Sequence, residues 1–292
     1  MSTNPPSSQN TRKKVTTHTF RLKKKQKEPI TMLTAYDYPT ALAVERAGID
    51  SILVGDSVGM VVLGYKNTLS VTMDDMLHHC RAVARGANTP LLIGDMPFMS
   101  YQVSIDKAVE NAGLFLQTAG MTAVKLEGGL ERIAAIEAIT GAGIPVMGHL
   151  GLTPQSVHQI GGFRAQGKTS SAAIDLWEAA QALQAAGCFS LVLEAVPSEL
   201  AKFISEKLEI PTIGIGAGAG CDGQVLVTHD LLGFFDRFTP KFAQKYAELN
   251  SIIDQAFQEF RKDVVGGDFP TTAHSITMPA AEWDEFLKAV DN

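Results

Sequence analysis

The sequence predicts an α/β protein built as a single (β/α)8 barrel. Short runs rich in Val, Ile and Leu alternate with longer segments of helical periodicity, and eight such runs occur along the chain. The runs are continuously apolar, which is typical of parallel strands covered by helices on both faces. Eight alternations within about 240 residues favour one closed TIM barrel over two doubly wound domains.

Eight strands are expected, at residues 30–36, 51–55, 90–94, 122–126, 144–148, 189–193, 211–215 and 225–229. About ten residues separate the last two strands, which is too few for a full crossover helix between parallel neighbours. A doubly wound sheet therefore stays open as the alternative fold.

The helices between these strands carry start and stop signals. Thr72 is a predicted N-cap with Asp75 at the capping-box position, and Gly86 is expected to end that helix. Thr153 is a second predicted N-cap, because Pro154 follows it at the first helical position, where a missing N–H is tolerated. Such signals support alternating helices throughout the barrel.

Three segments are expected: a disordered basic tail over residues 1–16, the barrel over 17–276 and a helical C-terminal extension over 277–292. Helical spacing over 240–263 predicts the last barrel helix or a pair of short ones. Residues 1–28 carry eight Lys or Arg against one acid, although the whole chain has a net charge of −6. A transit peptide or a nucleic-acid arm are alternatives for this start. Because the remainder is acidic, no nucleic-acid partner is expected.

The composition is that of a globular protein with a substantial core, since 45% of the 292 residues are hydrophobic and 19% are charged. No apolar run approaches the ~20 residues of a membrane-spanning helix, so no membrane partner is expected. The cysteines Cys80, Cys188 and Cys221 are far apart and form no C-x-x-C pair. Neither a disulfide framework nor a structural zinc site is therefore expected, and a reducing cytoplasmic location is the default.

Four of the predicted strands run into a carboxylate. Asp56 follows "SILVG", Asp95 follows "PLLIG", Glu127 ends "AVKLE" and Glu194 ends "LVLE". In a barrel the carboxyl ends of all strands point to one face, where active sites are built, so these acids are expected to converge. Carboxylates crowded in a partly dry pocket repel one another unless a cation neutralises them, and oxygen ligands beside a substrate suit Mg²⁺. Taken singly, each acid could instead cap a helix or anchor a loop.

Other polar residues near the strand ends are less specific. Lys125 lies two residues before Glu127 on the same strand face, and an unpaired ammonium would be costly there. His149 ends the fifth strand, where a polar pocket contact and a structural role are both open. The run "GIGAGAGCDGQ" at 214–224 is a weak dinucleotide match, and a tight loop close to a ligand is favoured. The chain contains no G-x-S-x-G elbow and no Walker loop.

The chain resembles the ketopantoate hydroxymethyltransferase family in eight collinear motifs. They are "LTAYDYP", "LVGDSVGMVVLGY", "DMPFMSY", "VKLEGG", "GHLGLTPQSV", "GGFRAQGK", "LVLEAVP" and "IGIGAGAGCDGQVLV", and the match as a whole spans about residues 17–275. The resemblance implies a barrel of the phosphoenolpyruvate/pyruvate type. It also implies transfer of a one-carbon unit from 5,10-methylenetetrahydrofolate to 3-methyl-2-oxobutanoate, giving 2-dehydropantoate with Mg²⁺ as cofactor, at the start of pantothenate and coenzyme A biosynthesis. Family members form large homo-oligomeric rings, often decamers.

The resemblance further implies roles for particular residues. Metal ligands fall on Asp56 of "GDS", Asp95 of "GDMPF" and Glu127 of "KLEGG". The first two would also contact the substrate. Glu194 of "LEAVP" falls on the proton acceptor.

Substrate contacts implied in the same way fall on Ser57 and Lys125, with His149 nearby. Two departures from the family pattern concern loops and ends. Lys66 and Ser70 stand where the family more often has a polar or acidic residue and Pro, and "AHSI" at 273–276 replaces the usual "EHSF".

The implied chemistry is physically coherent. A 2-oxo acid can chelate Mg²⁺ through its carbonyl and carboxylate oxygens, and the Lewis acid stabilises the enolate formed when the C3 proton leaves. Glu194 is the acid left outside the metal group, which makes it the candidate base. Two rivals remain: a metal-dependent carbon–carbon lyase or mutase of the related barrels, and an inactive barrel that only assembles or binds a partner.

Overall fold

The computed structural model describes residues 12–237 and 240–290. Eight parallel strands close into a barrel in chain order, with the last strand paired to the first. The strands are β1 Ile30–Thr34, β2 Ser51–Val54, β3 Leu91–Asp95, β4 Ala123–Glu127, β5 Val146–Gly151, β6 Ser190–Glu194, β7 Thr212–Ile215 and β8 Gly223–Leu226. The closure confirms the predicted (β/α)8 barrel and excludes the doubly wound sheet.

Helices alternate with the strands around the outside of the barrel. They are α1 Thr17–Gln26, α2 Tyr38–Arg46, α3 Val58–Val61, α4 Met73–Gly86, α5 Ile105–Ala119, α6 Ile133–Gly141, α7 Val157–Ile160, α8 Ser170–Ala185, α9 Ser198–Lys207, α10 Thr228–Leu231, α11 Leu249–Gly266 and α12 Ala280–Val290. The capping box predicted for α4 is confirmed, because the side chains of Thr72 and Asp75 each accept a hydrogen bond from the other's backbone N–H.

Apolar side chains form two layers. An inner cluster fills the barrel and includes Met32, Ile93 and Met147, whereas an outer cluster joins the strands to the surrounding helices. Alternate residues of each strand supply the two layers, because neighbouring side chains point to opposite faces. The continuously apolar strands of the sequence are explained by this double burial.

Strands β7 and β8 are joined by a loop instead of a helix. Asp222 brings the chain back to the start of the barrel, where its carboxylate accepts hydrogen bonds from the backbone N–H of Thr212 at 2.8 Å and from the Lys24 ammonium at 2.7 Å. The barrel thus closes although the connection is short. The eighth strand begins two residues before the predicted 225, since Gly223 and Gln224 pair with β1 and β7 although neither is an apolar strand former.

The start of the described chain packs against the barrel. Arg12 forms an ion pair with Asp50 at 2.6 Å, and the backbone N–H of Val15, a buried residue, donates to Thr89 O. The predicted disordered tail over 1–16 is therefore wrong for residues 12–16, because a buried apolar side chain and an ion pair hold them; residues 1–11 lie outside the described part. In α1, Phe20 is fully buried against Phe189 and covers the amino-terminal end of the barrel.

The C-terminal part differs from the predicted helix over 240–263. Residues 240–248 form turns, because the backbone N–H groups of Tyr246 and Leu249 donate to carbonyls at the end of α10 and beyond. Helix α11 begins only at Leu249 and extends to Gly266. Helix α12 lies within the segment predicted to be helical, and neither α11 nor α12 has a buried residue.

Candidate active site

The carboxyl ends of the strands surround a cavity of about 480 Å³. All the residues that the sequence singled out for a site line this cavity, and they are Asp56, Ser57, Asp95, Lys125, Glu127, His149 and Glu194. Parallel strands in a closed barrel bring them together although they are distant along the chain. The predicted convergence of the four strand-end acids is therefore observed.

Asp56, Asp95 and Lys125 form the deepest part of the site. An oxygen of Asp95 accepts a hydrogen bond from the backbone N–H of Asp56 at 3.0 Å, and the Lys125 ammonium lies 2.9 Å from the other oxygen. Burial, together with the negative charges of Asp95 and Glu127, raises the pKa of Asp56. Burial alone would lower the pKa of Lys125, but the surrounding carboxylates raise it. The ammonium therefore stays charged and partly compensates the buried acids.

His149 bridges two glutamates of the site. Its Nδ1 lies 3.4 Å from Glu127 Oε1, and its Nε2 lies 3.3 Å from Glu194 Oε2. Burial and the nearby Lys125 lower the pKa of His149, but its contacts with the two glutamates outweigh them and raise it to about 9. A protonated imidazole is attracted to both carboxylates, while the Lys125 ammonium lies 3.2 Å from its Nδ1.

Ser57 lies at the opposite side of the mouth from β5. Its hydroxyl is 2.8 Å from the hydroxyl of Tyr36, which is buried at the end of β1. Burial raises the pKa of Tyr36, so this phenol keeps its proton. The pair therefore presents a neutral hydroxyl at the cavity wall beside Asp56.

Gln155 is a site residue that sequence reasoning missed. Its backbone N–H donates to Glu127 Oε2 at 3.0 Å, and its side-chain amide donates to Asp56 Oδ2 at 2.9 Å. The Tyr101 hydroxyl donates to Gln155 Oε1 at 2.6 Å and so fixes the orientation of the amide. A neutral glutamine in a loop gives no sequence signal for such a role.

The same contacts correct the helix predicted to begin at Thr153. The Thr153 side chain caps nothing, and residues Pro154–Ser156 form a single 3-10 turn that leads into the short α7. The N–H of Gln155, which a capping hydroxyl could have bound, points to the Glu127 carboxylate instead. The loop after β5 is thus shaped by the site.

Asp230 is the second residue of the site that sequence reasoning missed, and it is an acid. It follows β8, lines the cavity and is 7% exposed. Burial raises its pKa to about 6. The signal was present, because "VLVTHD" places an acid directly after the predicted strand at 225–229, as in the four cases that were recognised.

The donor set fits Mg²⁺ in chemistry, but it does not form a three-carboxylate cage. Within the described residues, no group of three or more His, Cys, Asp or Glu is placed to hold a metal ion by itself. Both oxygens of Glu127 already face protein groups, namely Gln155 on one side and His149 with Lys125 on the other. Mg²⁺ commonly binds one or two carboxylates and completes its shell with water and substrate oxygens. Asp56 fits such a partial site, and Asp95 would join it by exchanging the contact of one oxygen with Lys125 for the ion.

The fold places the chain among (β/α)8 barrels of known structure. Phosphonopyruvate hydrolase matches with a TM-score of 0.60 at 13% identity, covering 95% of this chain and 98% of that one. A phosphoenolpyruvate phosphomutase from Streptomyces platensis subsp. rosaceus matches with a TM-score of 0.59 at 16% identity, covering 94% and 96%. A 2,3-dimethylmalate lyase described as a PEP mutase/isocitrate lyase superfamily member matches with a TM-score of 0.57 at 15% identity, covering 94% and 97%. These similarities show the (β/α)8 barrel fold.

The chain belongs to the ketopantoate hydroxymethyltransferase family, whose sequence model matches residues 14–272. It is 57% identical over 269 residues to a 3-methyl-2-oxobutanoate hydroxymethyltransferase of Syntrophus aciditrophicus (strain SB), with 92% of this chain and 99% of the relative covered. An enzyme of the same name from Syntrophobacter fumaroxidans (strain DSM 10017 / MPOB) is 58% identical over 258 residues, with 88% and 92% covered. The family resemblance seen in the motifs is confirmed.

Membrane insertion has no support in the described residues, 12–237 and 240–290. None of the helices there combines the length and the hydrophobicity that a membrane span requires.

Proposed function

We propose that the protein is a 3-methyl-2-oxobutanoate hydroxymethyltransferase. It moves a one-carbon unit from 5,10-methylenetetrahydrofolate to C3 of 3-methyl-2-oxobutanoate and gives 2-dehydropantoate, the precursor of pantothenate and coenzyme A. Relatives that are more than half identical over most of the chain carry that name. The observation that carries the proposal is the position of Glu194, which His149 holds at the mouth beside a separate, buried group of acids.

The buried group is suited to binding a small oxo acid. Asp56 and Asp95 would hold a Mg²⁺ ion, with Glu127 as the third ligand that the family pattern implies, and the ion would supply Lewis acidity for the oxygens of the substrate. The Lys125 ammonium adds a positive charge at the same place, and Ser57 and Tyr36 offer hydroxyl groups at its edge. The apolar part of the cavity, which includes Leu53 and Val192, accommodates the isopropyl group.

Glu194 is the base that removes the C3 proton. Its side chain is 17% exposed, whereas those of Asp95 and Glu127 are 2% exposed, so it reaches further into the open part of the cavity. The bond between C3 and the transferred carbon then forms, the donor leaves as tetrahydrofolate and water supplies the hydroxyl oxygen. His149 and Lys125 stabilise the carboxylate and the developing negative charge through their own positive charges.

The rival lyase or mutase chemistry finds less support in this cavity. Enzymes of that kind commonly use a reactive loop cysteine, but Cys80 and Cys188 are buried and burial raises the pKa of both thiols. Cys221 does not line the cavity either. The inactive-barrel alternative is disfavoured because every predicted pocket acid is present and faces the cavity.

The protein is further proposed to act as a cytoplasmic homo-oligomer, in a ring such as a decamer. Large apolar side chains on α11 and α12 are exposed in the single chain, among them Phe257 at 69% and Val265 at 75%. Exposed apolar surface of this extent is typical of an interface between subunits.

Exchange of the C3 proton of 3-methyl-2-oxobutanoate tests the proposal. In D₂O, NMR should show exchange that requires Mg²⁺ and stops with chelator, because only the first half of the reaction is needed. Glu194→Gln should abolish the exchange, whereas Glu199→Gln, at an exposed glutamate of α9, should leave it unchanged. Exchange that survives in Glu194→Gln would exclude this residue as the base, and the absence of both exchange and folate-dependent product would reject the proposed function.

A further inference from the structure

Asp230 is a buried acid of the cavity that the mechanism above does not use. It lies in α10, directly after β8, and is 7% exposed. It shares the cavity with Asp56 and Glu194 but follows a different strand of the barrel. Neither the family resemblance nor the sequence patterns assigned it a role.

The Asp230 carboxylate has no partner in the described part of the chain. No hydrogen-bond donor or cation between residues 12 and 237 or 240 and 290 lies within bonding distance, and burial is the one influence on its pKa. Two nearby hydroxyl groups are committed elsewhere, since the Tyr36 hydroxyl bonds Ser57 and that of Thr228 bonds Thr34. The Asp230 oxygens are not among the fully enclosed unpaired atoms of the described residues, so they reach the cavity and are open to a donor from a ligand.

The small oxo acid cannot be that donor. It carries a carboxylate of its own, which Asp230 would repel, and it has no N–H group. Two lysines line the cavity: Lys125 is bound to Asp95 and Glu127, and Lys241 is exposed to solvent. A ligand suited to Asp230 is therefore uncharged where it contacts the carboxylate and carries several N–H groups there.

The wall around Asp230 indicates the shape of that ligand. The same stretch of chain contributes Val225, Val227 and Phe235 to the cavity lining, so this part of the wall combines one carboxylate with three apolar side chains. One fixed polar group among apolar walls is typical of sites that bind a flat heterocycle and set its orientation.

We propose that Asp230 binds the pteridine ring of the folate co-substrate and accepts hydrogen bonds from its adjacent ring N–H and 2-amino group. This inference rests on the proposed function. Two parallel N–H groups match the two oxygens of a carboxylate, and such charge-assisted pairs are stronger than neutral hydrogen bonds. Contact with Asp230 would fix the ring with its methylene carbon directed to the oxo acid at Asp56 and Lys125.

Binding of two probes to Asp230→Asn tests this inference. The probes are tetrahydrofolate and 6-methyltetrahydropterin, which keeps the ring but lacks the p-aminobenzoylglutamate tail. Titration calorimetry should show both bound about 10- to 100-fold more weakly than by the wild type, because the amide turns one acceptor into a donor facing a donor. Asp236→Asn, at an exposed acid of the same region, serves as the matched control and should bind both probes normally.

Two further measurements separate this inference from its alternatives. The Mg²⁺-dependent C3 exchange, which needs no folate, should stay within about twofold of wild type in Asp230→Asn. The wild type should bind the 2-oxo analogue of the pterin, which lacks the amino donor, about as weakly as Asp230→Asn binds the pterin; this comparison needs no substitution.

Different outcomes would overturn this inference and the proposed function. Unchanged binding of both probes, or weaker binding of tetrahydrofolate with unchanged binding of the pterin, would overturn the ring contact. Loss of exchange in a folded Asp230→Asn protein would place Asp230 with the oxo acid and also overturn it. Wild-type protein that yields neither exchange nor folate-dependent product would reject the proposed function itself, and this inference with it.

Discussion

The side-chain amide of Gln155 donates a hydrogen bond of 2.9 Å to Oδ2 of Asp56. The same residue binds Glu127 through its backbone N–H, so one loop position orients two carboxylates from different strands. Outer partners of this kind commonly tune metal affinity by 10- to 100-fold, roughly as much as a weak ligand does. The loop after β5 thus belongs to the site although it offers no charged residue.

Gln155→Leu should therefore weaken metal binding. We expect the dissociation constant for Mg²⁺, or for Mn²⁺ followed by electron paramagnetic resonance, to rise about 10- to 100-fold because Asp56 loses its donor. Gln117→Leu, at an exposed position of α5, is the matched control. An unchanged constant in a variant with a normal melting temperature would show that Gln155 does not orient the ligands.

Gly151→Ala should impair activity through the position of Glu194. Gly151 ends β5 with φ of +96°, and an added Cβ would meet the backbone carbonyl of Glu194 and the side chain of Val196. The carbonyl accepts a hydrogen bond from Leu152 N–H at 2.8 Å, so the clash would shift the strand end that carries the base. A displacement of this size should lower kcat about 100-fold.

The control for this substitution is Gly113→Ala in α5. A Cβ at Gly113 meets no atom within 4 Å, and alanine favours the helix by roughly 1 kcal/mol. Turnover should be unchanged in that variant. Equal turnover in both alanine variants would contradict the steric argument at Gly151.

Lys125→Met should destabilise the fold and increase its dependence on metal. The substitution leaves the buried Asp95 and Glu127 without the ammonium that lies 2.9 Å and 3.8 Å away. Breaking a buried pair in this way costs about 3–5 kcal/mol. Chemical denaturation should show that loss without metal, and added Mg²⁺ should raise the free energy of unfolding more for the variant than for wild type. A loss below about 1 kcal/mol would argue against the ion pair.

Asp230→Asn should stabilise the protein above pH 6. The pKa of Asp230 is raised from 3.8 to about 6 on folding, so the folded protein holds the proton more tightly. The favourable contribution is present below pH 3.8 and is lost as the pH rises through 6, where the buried carboxylate ionises. The amide avoids this penalty of about 1–3 kcal/mol.

Thermal unfolding at two pH values checks the sign. The melting temperature of Asp230→Asn should exceed that of wild type at pH 8 and approach it near pH 4. A variant that is less stable than wild type at pH 8 would mean that the carboxylate has a donor in the free protein.

Most of the barrel could be predicted because double burial leaves a strong apolar signal in each strand. The weakest strand, β8, begins with Gly223 and Gln224, and its pairing depends on β1 and β7 instead of its own composition. The turns at 240–248 could not be predicted from the helical pattern of their sequence. Backbone N–H groups at 246 and 249 bind carbonyls of the region after β8 instead of forming helical hydrogen bonds.

Most acids of the site could be predicted from the same apolar runs, because a carboxylate that follows such a run stands at the end of a strand. Asp230 obeys that rule and was overlooked, whereas Gln155 obeys no such rule. Its position depends on a 3-10 turn whose direction is set by the Glu127 carboxylate, and only the folded loop reveals that contact. The structure also shows Lys125 among the acids, as its position two residues before Glu127 on the same strand face predicted.

Phe20 and the inner apolar cluster close the amino-terminal end of the barrel, so the cavity opens at the carboxyl ends of the strands. A molecule bound at its bottom must arrive before one that fills its neck and must depart after it. Under the proposed function, this geometry implies a compulsory order of binding, with the oxo acid first and the folate second. A folate in the neck would then shield the proposed carbanion from solvent protons.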